Sequence, residues 1–145
     1  MTRSIPRMAQ PGDEASPAGE AEPRGSEHIL FVEDDENVRD VVSDLLSELG
    51  YHVIPARDGK EALERLAGDA PIDLLFTDHV LPNGINGREL GRQATVLRPG
   101  IRVLLCSGYG SRARTERFPV LAKPYRRLEL ATAIRSVLEG NPASP

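Results

Sequence analysis

The 145-residue chain has one cysteine, no tryptophan, and only three Phe and three Tyr. A single cysteine excludes a disulfide framework. Cys106 lies inside an apolar run and reads as a small buried hydrophobe. No apolar stretch approaches the length of a membrane span. Met1 to Gln10 lacks the apolar core of a signal peptide. The expectation is a cytoplasmic protein without membrane insertion. Excess positive charge is missing too: 18 Lys and Arg face 22 Asp and Glu, a formal net charge of -4. Nucleic acid is therefore not an expected partner. No glycine-rich segment ends in Gly-Lys-Ser/Thr, which excludes a P-loop. His28, His52 and His79 show no metal-ligand spacing, and there is no internal repeat.

What is present begins with a polar stretch. Residues 1–26 hold Pro6, Pro11, Pro17 and Pro23 among Gly, Ser, Glu and Arg, with no aromatic residue. This reads as a disordered N-terminal tail, either a passive extension or a docking arm. The texture changes at residue 27, and the folded unit is expected over 27–140 with a disordered end at 141–145. Ile29 to Val32 is an apolar strand ending in Glu33-Asp34-Asp35. Val38, Val41, Val42, Leu45, Leu46 and Leu49 form the stripe of an amphipathic helix, closed by Gly50. Tyr51 to Ala56 is a second strand. Asp58 caps a second helix with Ala62, Leu63 and Leu66 inward. Ile72, Leu74, Leu75 and Phe76 run continuously into Thr77-Asp78, the pattern of a strand covered on both faces.

A loop over Leu81 to Gly87 precedes a helix over Arg88 to Leu97, and Ile101 to Cys106 is a fourth strand ending at Ser107-Gly108. Val120 to Ala122 is a brief fifth strand ending at Lys123-Pro124. Leu128, Ala131, Ile134, Val137 and Leu138 mark the last helix. Alternating strands and helices predict an α/β fold with a five-stranded parallel, doubly wound sheet. Five such strands suit the flavodoxin-like order 2-1-3-4-5, an order taken over from known sheets of this kind. The segment between Ser107 and Lys123 is brief, so a helix there is expected to be short or missing.

Four strands end in chemically useful residues: Glu33 and Asp34, Asp78, Ser107 and Lys123. In a parallel sheet these ends share one edge, where ligands bind. Three carboxylates together repel one another unless a cation intervenes. A hard cation such as Mg²⁺ prefers such oxygen ligands. A lysine and a hydroxyl complete a site suited to a phosphoryl group, whose transfer needs positioning and charge neutralisation.

Ile29-Leu30-Phe31-Val32-Glu33-Asp34-Asp35, Thr77-Asp78 with Leu81-Pro82, Ser107-Gly108-Tyr109 and Lys123-Pro124-Tyr125 resemble the receiver-domain motifs of two-component response regulators. The resemblance spans roughly the whole expected folded unit. It implies Asp78 as phosphoacceptor and Glu33, Asp34, Asp78 and the Val80 backbone carbonyl as Mg²⁺ ligands. It also implies Ser107 as the switch hydroxyl and Lys123 as the phosphoryl-binding cation. The implied donor is a phosphohistidine on a histidine kinase or phosphotransfer protein, and the implied output is a conformational switch read by an unnamed protein partner. The domain is then a single-domain signalling unit that catalyses its own phosphorylation and dephosphorylation, not an enzyme acting on others.

Two departures shape the reading. Pro82 and Gly87 enclose Asn83-Gly84-Ile85-Asn86, one residue more than the usual family loop. Such variants resemble receivers associated with hybrid histidine kinases. Val120 stands where the family often has an aromatic, leaving Tyr109 and Tyr125 as possible coupling aromatics. Val80 and Tyr109 offer no carboxylate or amide to position water, so self-dephosphorylation is expected to be slow. The alternative reading is a receiver-like adaptor that binds partners without phosphorylation. A dehalogenase-type phosphatase is disfavoured, because Val80 occupies the place of its second Asp.

Overall fold

The structure, a computed structural model, describes residues 22–108 and 118–140. Five strands carry the expected periodicity: β1 (His28–Val32), β2 (His52–Ala56), β3 (Leu74–Asp78), β4 (Arg102–Ser107) and β5 (Val120–Ala122). Between and after them lie α1 (Glu36–Glu48), α2 (Gly59–Ala67), α3 (Gly87–Leu97) and α4 (Arg127–Leu138). The sheet is fully parallel in the order β2-β1-β3-β4-β5, as expected. The expectation of a short or missing helix between β4 and β5 falls on residues 109–117, outside the described residues.

Each strand alternates its side chains between two helical layers. Ile29, Phe31, Leu74, Phe76, Leu104 and Cys106 pack under α1 and α4. Leu30, Val32, Leu75, Val103 and Leu105 pack under α2 and α3. Both faces are apolar, so β3 is buried along its whole length. Phe31 and Phe76 stack with centroids 5.2 Å apart, an aromatic pair contributing about 1 kcal/mol beyond simple burial.

The first three helices start where a side chain caps them. Asp35 accepts hydrogen bonds from the Asn37 and Val38 amides, Asp58 from Glu61 and Asn86 from Glu89. Two helical stripes differ from the sequence reading. Val41 is 65% exposed and Val38 36% exposed, because Val42, Leu46 and Leu49 already occupy the sheet-facing side of α1. Leu128 is also exposed, at the first turn of α4, and Leu130 takes the buried place.

The segment just before residue 27 makes its own contacts with the folded unit. Residues 22–26 are fastened to the fold. The Arg24 guanidinium donates to the Glu48 carbonyl and the Gly25 amide to the Leu49 carbonyl. Arg127 pairs with Glu22 and Glu48, each at 2.6 Å. Arg135 pairs with Glu27 at 2.8 Å and also donates to the Arg24 carbonyl and Tyr51 hydroxyl. This strap joins the ends of α1 and β2 to α4. Residues 1–21 and 141–145 lie outside the described residues.

Gly87 fixes the loop after β3. Its amide donates to the His79 carbonyl at 2.7 Å, and a Cβ there would strike the Asp78 carbonyl. Gly87→Ala therefore forces the loop or α3 to shift. It should destabilise the fold by about 1–3 kcal/mol, read from urea unfolding. Gly108→Ala, with open space around its Cβ position and no positive φ, is the control and should change little.

The strap is sensitive to acid. The Arg135 hydrogen bonds hold the Glu27 carboxyl down at about 2, against an ordinary 4.5. A depressed pKa contributes stability that is present above about pH 4.5 and is lost as pH falls toward 2. Glu27→Gln should lower the Tm at pH 7 by a few degrees, since a solvent-screened pair contributes only about 1 kcal/mol or less. The difference from wild type should shrink as the melts are taken from pH 5 toward pH 2.

Candidate functional site

The carboxyl edge of the sheet gathers the residues singled out from the sequence. β1 ends at Val32, and the chain turns at once so that Glu33 is 3% exposed. The Asp35 amide donates to Glu33 Oε2 at 3.0 Å, and Arg39 donates to the Glu33 carbonyl at 2.8 Å. Those bonds, with the Asp35 cap, split the acidic run by role. Asp35 starts α1, Glu33 turns inward, and Asp34 stays exposed beside it.

Asp78 ends β3, next to β1 and β4, with its side chain 12% exposed. Lys123, directly after β5, reaches across β4 to it. Its Nζ lies 2.9 Å from Asp78 Oδ1 and 3.7 Å from Glu33 Oε1. One ammonium thus spans two nearly buried carboxylates. Burial, the largest influence, pushes the Glu33 carboxyl up to about 7, and Asp78 pushes the same way by hydrogen bond and charge. The Asp35 amide bond and the Lys123 charge oppose this rise. Burial works against the charge of Lys123, yet the Asp78 hydrogen bond and charge outweigh it and hold its pKa above the ordinary lysine value.

Glu33, Asp34 and Asp78 each bring a carboxylate oxygen within 4.8 Å of the others. Among the described residues this is the one group of three or more His, Cys, Asp or Glu side chains so placed. The donor set is all oxygen, carries excess negative charge, and includes a carboxyl driven toward its neutral form by burial first and by Asp78 second. Such a set fits a hard divalent cation with water completing the shell.

Ser107 ends β4 and is 6% exposed. Its hydroxyl donates to the Gly108 carbonyl at 3.4 Å, and its own carbonyl accepts the Lys123 amide at 2.8 Å. The hydroxyl is thus beside the acidic cluster but engaged elsewhere. Val80 lies in the loop after β3, with its side chain 77% exposed. Tyr125 packs its ring 6.4 Å from Phe76, and burial pushes its hydroxyl pKa upward. Tyr109 lies outside the described residues. Cys106 neighbours Asp78 in register; burial foremost, with the Asp78 charge, pushes its thiol up to about 12, as befits an inert core residue.

The histidines stay apart from this edge or serve the backbone. His28 and His52 stack 4.6 Å apart at the opposite ends of their strands. The His79 amide closes onto the Cys106 carbonyl at 2.8 Å. The sequence reading missed two supports, Arg39 and Gly87. Arg39 grips a carbonyl six residues back and Gly87 fits under Asp78, and neither contact leaves a local sequence pattern beyond the Asn86-Gly87 start of α3.

Comparisons with known proteins agree with this arrangement. The family model described as response regulator receiver domain matches residues 29–135. The response regulator receiver protein CpdR of Brucella abortus is 34% identical over 116 residues, covering 76% of this chain and 95% of that protein. The sensor kinase CckA of the same organism is 34% identical over 124 residues, covering 79% of this chain but only 13% of the kinase. The solved receiver domain of the hybrid histidine kinase CckA is 37% identical with a TM-score of 0.66, covering 77% of this chain and 98% of that domain. A receiver domain structure from Clostridium thermocellum, at 23% identity and a TM-score of 0.70, covers 78% of this chain and 94% of its own and shares the fold. With all five strands in receiver order and its motifs at the strand ends, the chain belongs to the response regulator receiver domain family.

Proposed function

We propose that this receiver accepts a phosphoryl group on Asp78 from a phosphohistidine and passes the signal to a protein partner by changing conformation. The donor is a histidine kinase or a histidine phosphotransfer protein, and the setting is the cytoplasm. The observation that carries this reading is the Asp78–Lys123 pair at 2.9 Å, held at a strand end beside Glu33. A carboxylate paired with a lysine at the rim of an apolar sheet is a nucleophile already beside a phosphoryl-binding cation.

In this reading an Asp78 carboxylate oxygen attacks phosphorus as the P–N bond breaks, and the imidazole leaves with the bonding electron pair. Glu33, Asp34, Asp78 and the Val80 carbonyl are the groups that would hold Mg²⁺. Bound there, the ion neutralises charge on the phosphoryl oxygens. Lys123 transfers its contact from Asp78 Oδ1 to a phosphoryl oxygen. The Ser107 hydroxyl leaves the Gly108 carbonyl and turns toward the new group. Tyr125, whose ring packs against Phe76, and Tyr109 are the aromatics to which this reading assigns the coupling of that turn to the surface. A two-state equilibrium is thereby biased by one new dianionic group. The receiver unit is assigned to residues 27–140.

Intact mass after incubation with acetyl phosphate and Mg²⁺ tests this directly. Wild type should gain one phosphoryl group and Asp78→Asn none, and chelating the metal should abolish the gain. No gain in folded, Mg²⁺-binding protein would point to the unphosphorylated adaptor, and gain in both would move the acceptor elsewhere.

The lifetime of the product gives a second test. Val80 is apolar and exposed beside Asp78, so it shields the acyl phosphate without positioning water. Val80→Ala should shorten the phosphoryl half-life severalfold, followed by loss of the added mass over time. An unchanged half-life would remove the shielding role.

A further inference from the structure

Apart from Glu48 at its end, the outer acids of α1 have no ion-pair partner among the described residues. Glu36, Asp40, Asp44 and Glu48 recur every four residues and all are exposed. Like charges at this spacing repel by a few tenths of a kcal/mol per pair. Glu48, the last of the row, is answered by Arg127 from α4, and Arg24 of the strap binds its carbonyl. Asp40 and Asp44 form no ion pair among the described residues. Between them on the helix surface stands Val41, 65% exposed, with Val38 one turn before it.

The chain itself holds a complementary segment. Residues 1–21 carry their basic and large apolar side chains, Met1, Arg3, Ile5, Arg7 and Met8, near the start, and their acids, Asp13, Glu14 and Glu20, later. The strap delivers this segment to the right place. Glu22 is fixed beside Arg127, which also holds Glu48 at the end of α1. From Glu48 back to Val41 is about 10 Å along the helix. Residues 9–21 reach up to about 45 Å when extended. Tethering at this length gives an effective concentration on the order of millimolar, so even a weak contact is populated.

We propose that residues 3–8 dock in cis on the outer face of α1, with Ile5 and Met8 against Val38 and Val41 and with Arg3 and Arg7 against Asp40 and Asp44. The docking extends, along the same row of acids, the contact that the strap already makes at Glu48.

The test uses the full chain with Ser4→Cys carrying a nitroxide spin label. Cys106, buried and with its thiol pushed up to about 12, does not compete for the label. In amide NMR spectra taken without phosphodonor, the Val38, Val41 and Asp44 signals should lose at least half their intensity relative to the reduced label. Arg3→Glu with Arg7→Glu should restore them, as should Ile5→Ser with Met8→Ser. Absence of selective loss would overturn the proposal. So would loss that arises only between labelled and unlabelled copies, which would make a second molecule the occupant.

Discussion

Two carboxylates stand side by side where an apolar sheet meets water, and one lysine holds them there. Everything at the carboxyl edge follows from that constraint. Glu33 and Asp78 are nearly buried, and two anions in such a place are tolerated only with a cation at hand. Lys123 supplies it from the last strand, across β4. The strand order is what makes this possible. β1 and β3 are neighbours, so their acids meet, while β5 lies one strand beyond, within reach of a long side chain. The buried carboxylates cost local stability, and the apolar layers beneath supply it.

The fold was legible because its strands are short, continuous apolar runs punctuated by acids, glycine and proline. That pattern specifies a sheet covered on both faces, and the helices between its strands specify parallel pairing. Ile29 to Val32 and Leu74 to Phe76 needed no partner information to be placed as strands. The site was legible for the same reason: Glu33, Asp78, Ser107 and Lys123 each mark the end of a run, and a parallel sheet brings such ends together.

What was not legible depends on contacts distant in sequence or on angular detail. Val41 and Leu128 look like core residues by spacing, yet each α1 and α4 stripe is wider than the face the sheet can bury. Glu27 looks like the edge of a polar tail, yet Arg135, far along the chain, anchors it. Gly87 looks like a loop glycine, and only its fit beneath the Asp78 carbonyl reveals a structural duty. His28 and His52 have no shared spacing in sequence, yet parallel register stacks their rings.

β5 is three residues long, pairs with β4 alone, and none of its residues is fully buried. Strands of this kind open at lower free energy than a central strand such as β3. The cation that balances the site is therefore attached to the least cooperative strand of the sheet. The acids, by contrast, sit at the ends of β1 and β3, strands held deep between the helical layers. A change of charge at this edge therefore acts through a lysine anchored next to a short margin strand that the core restrains little.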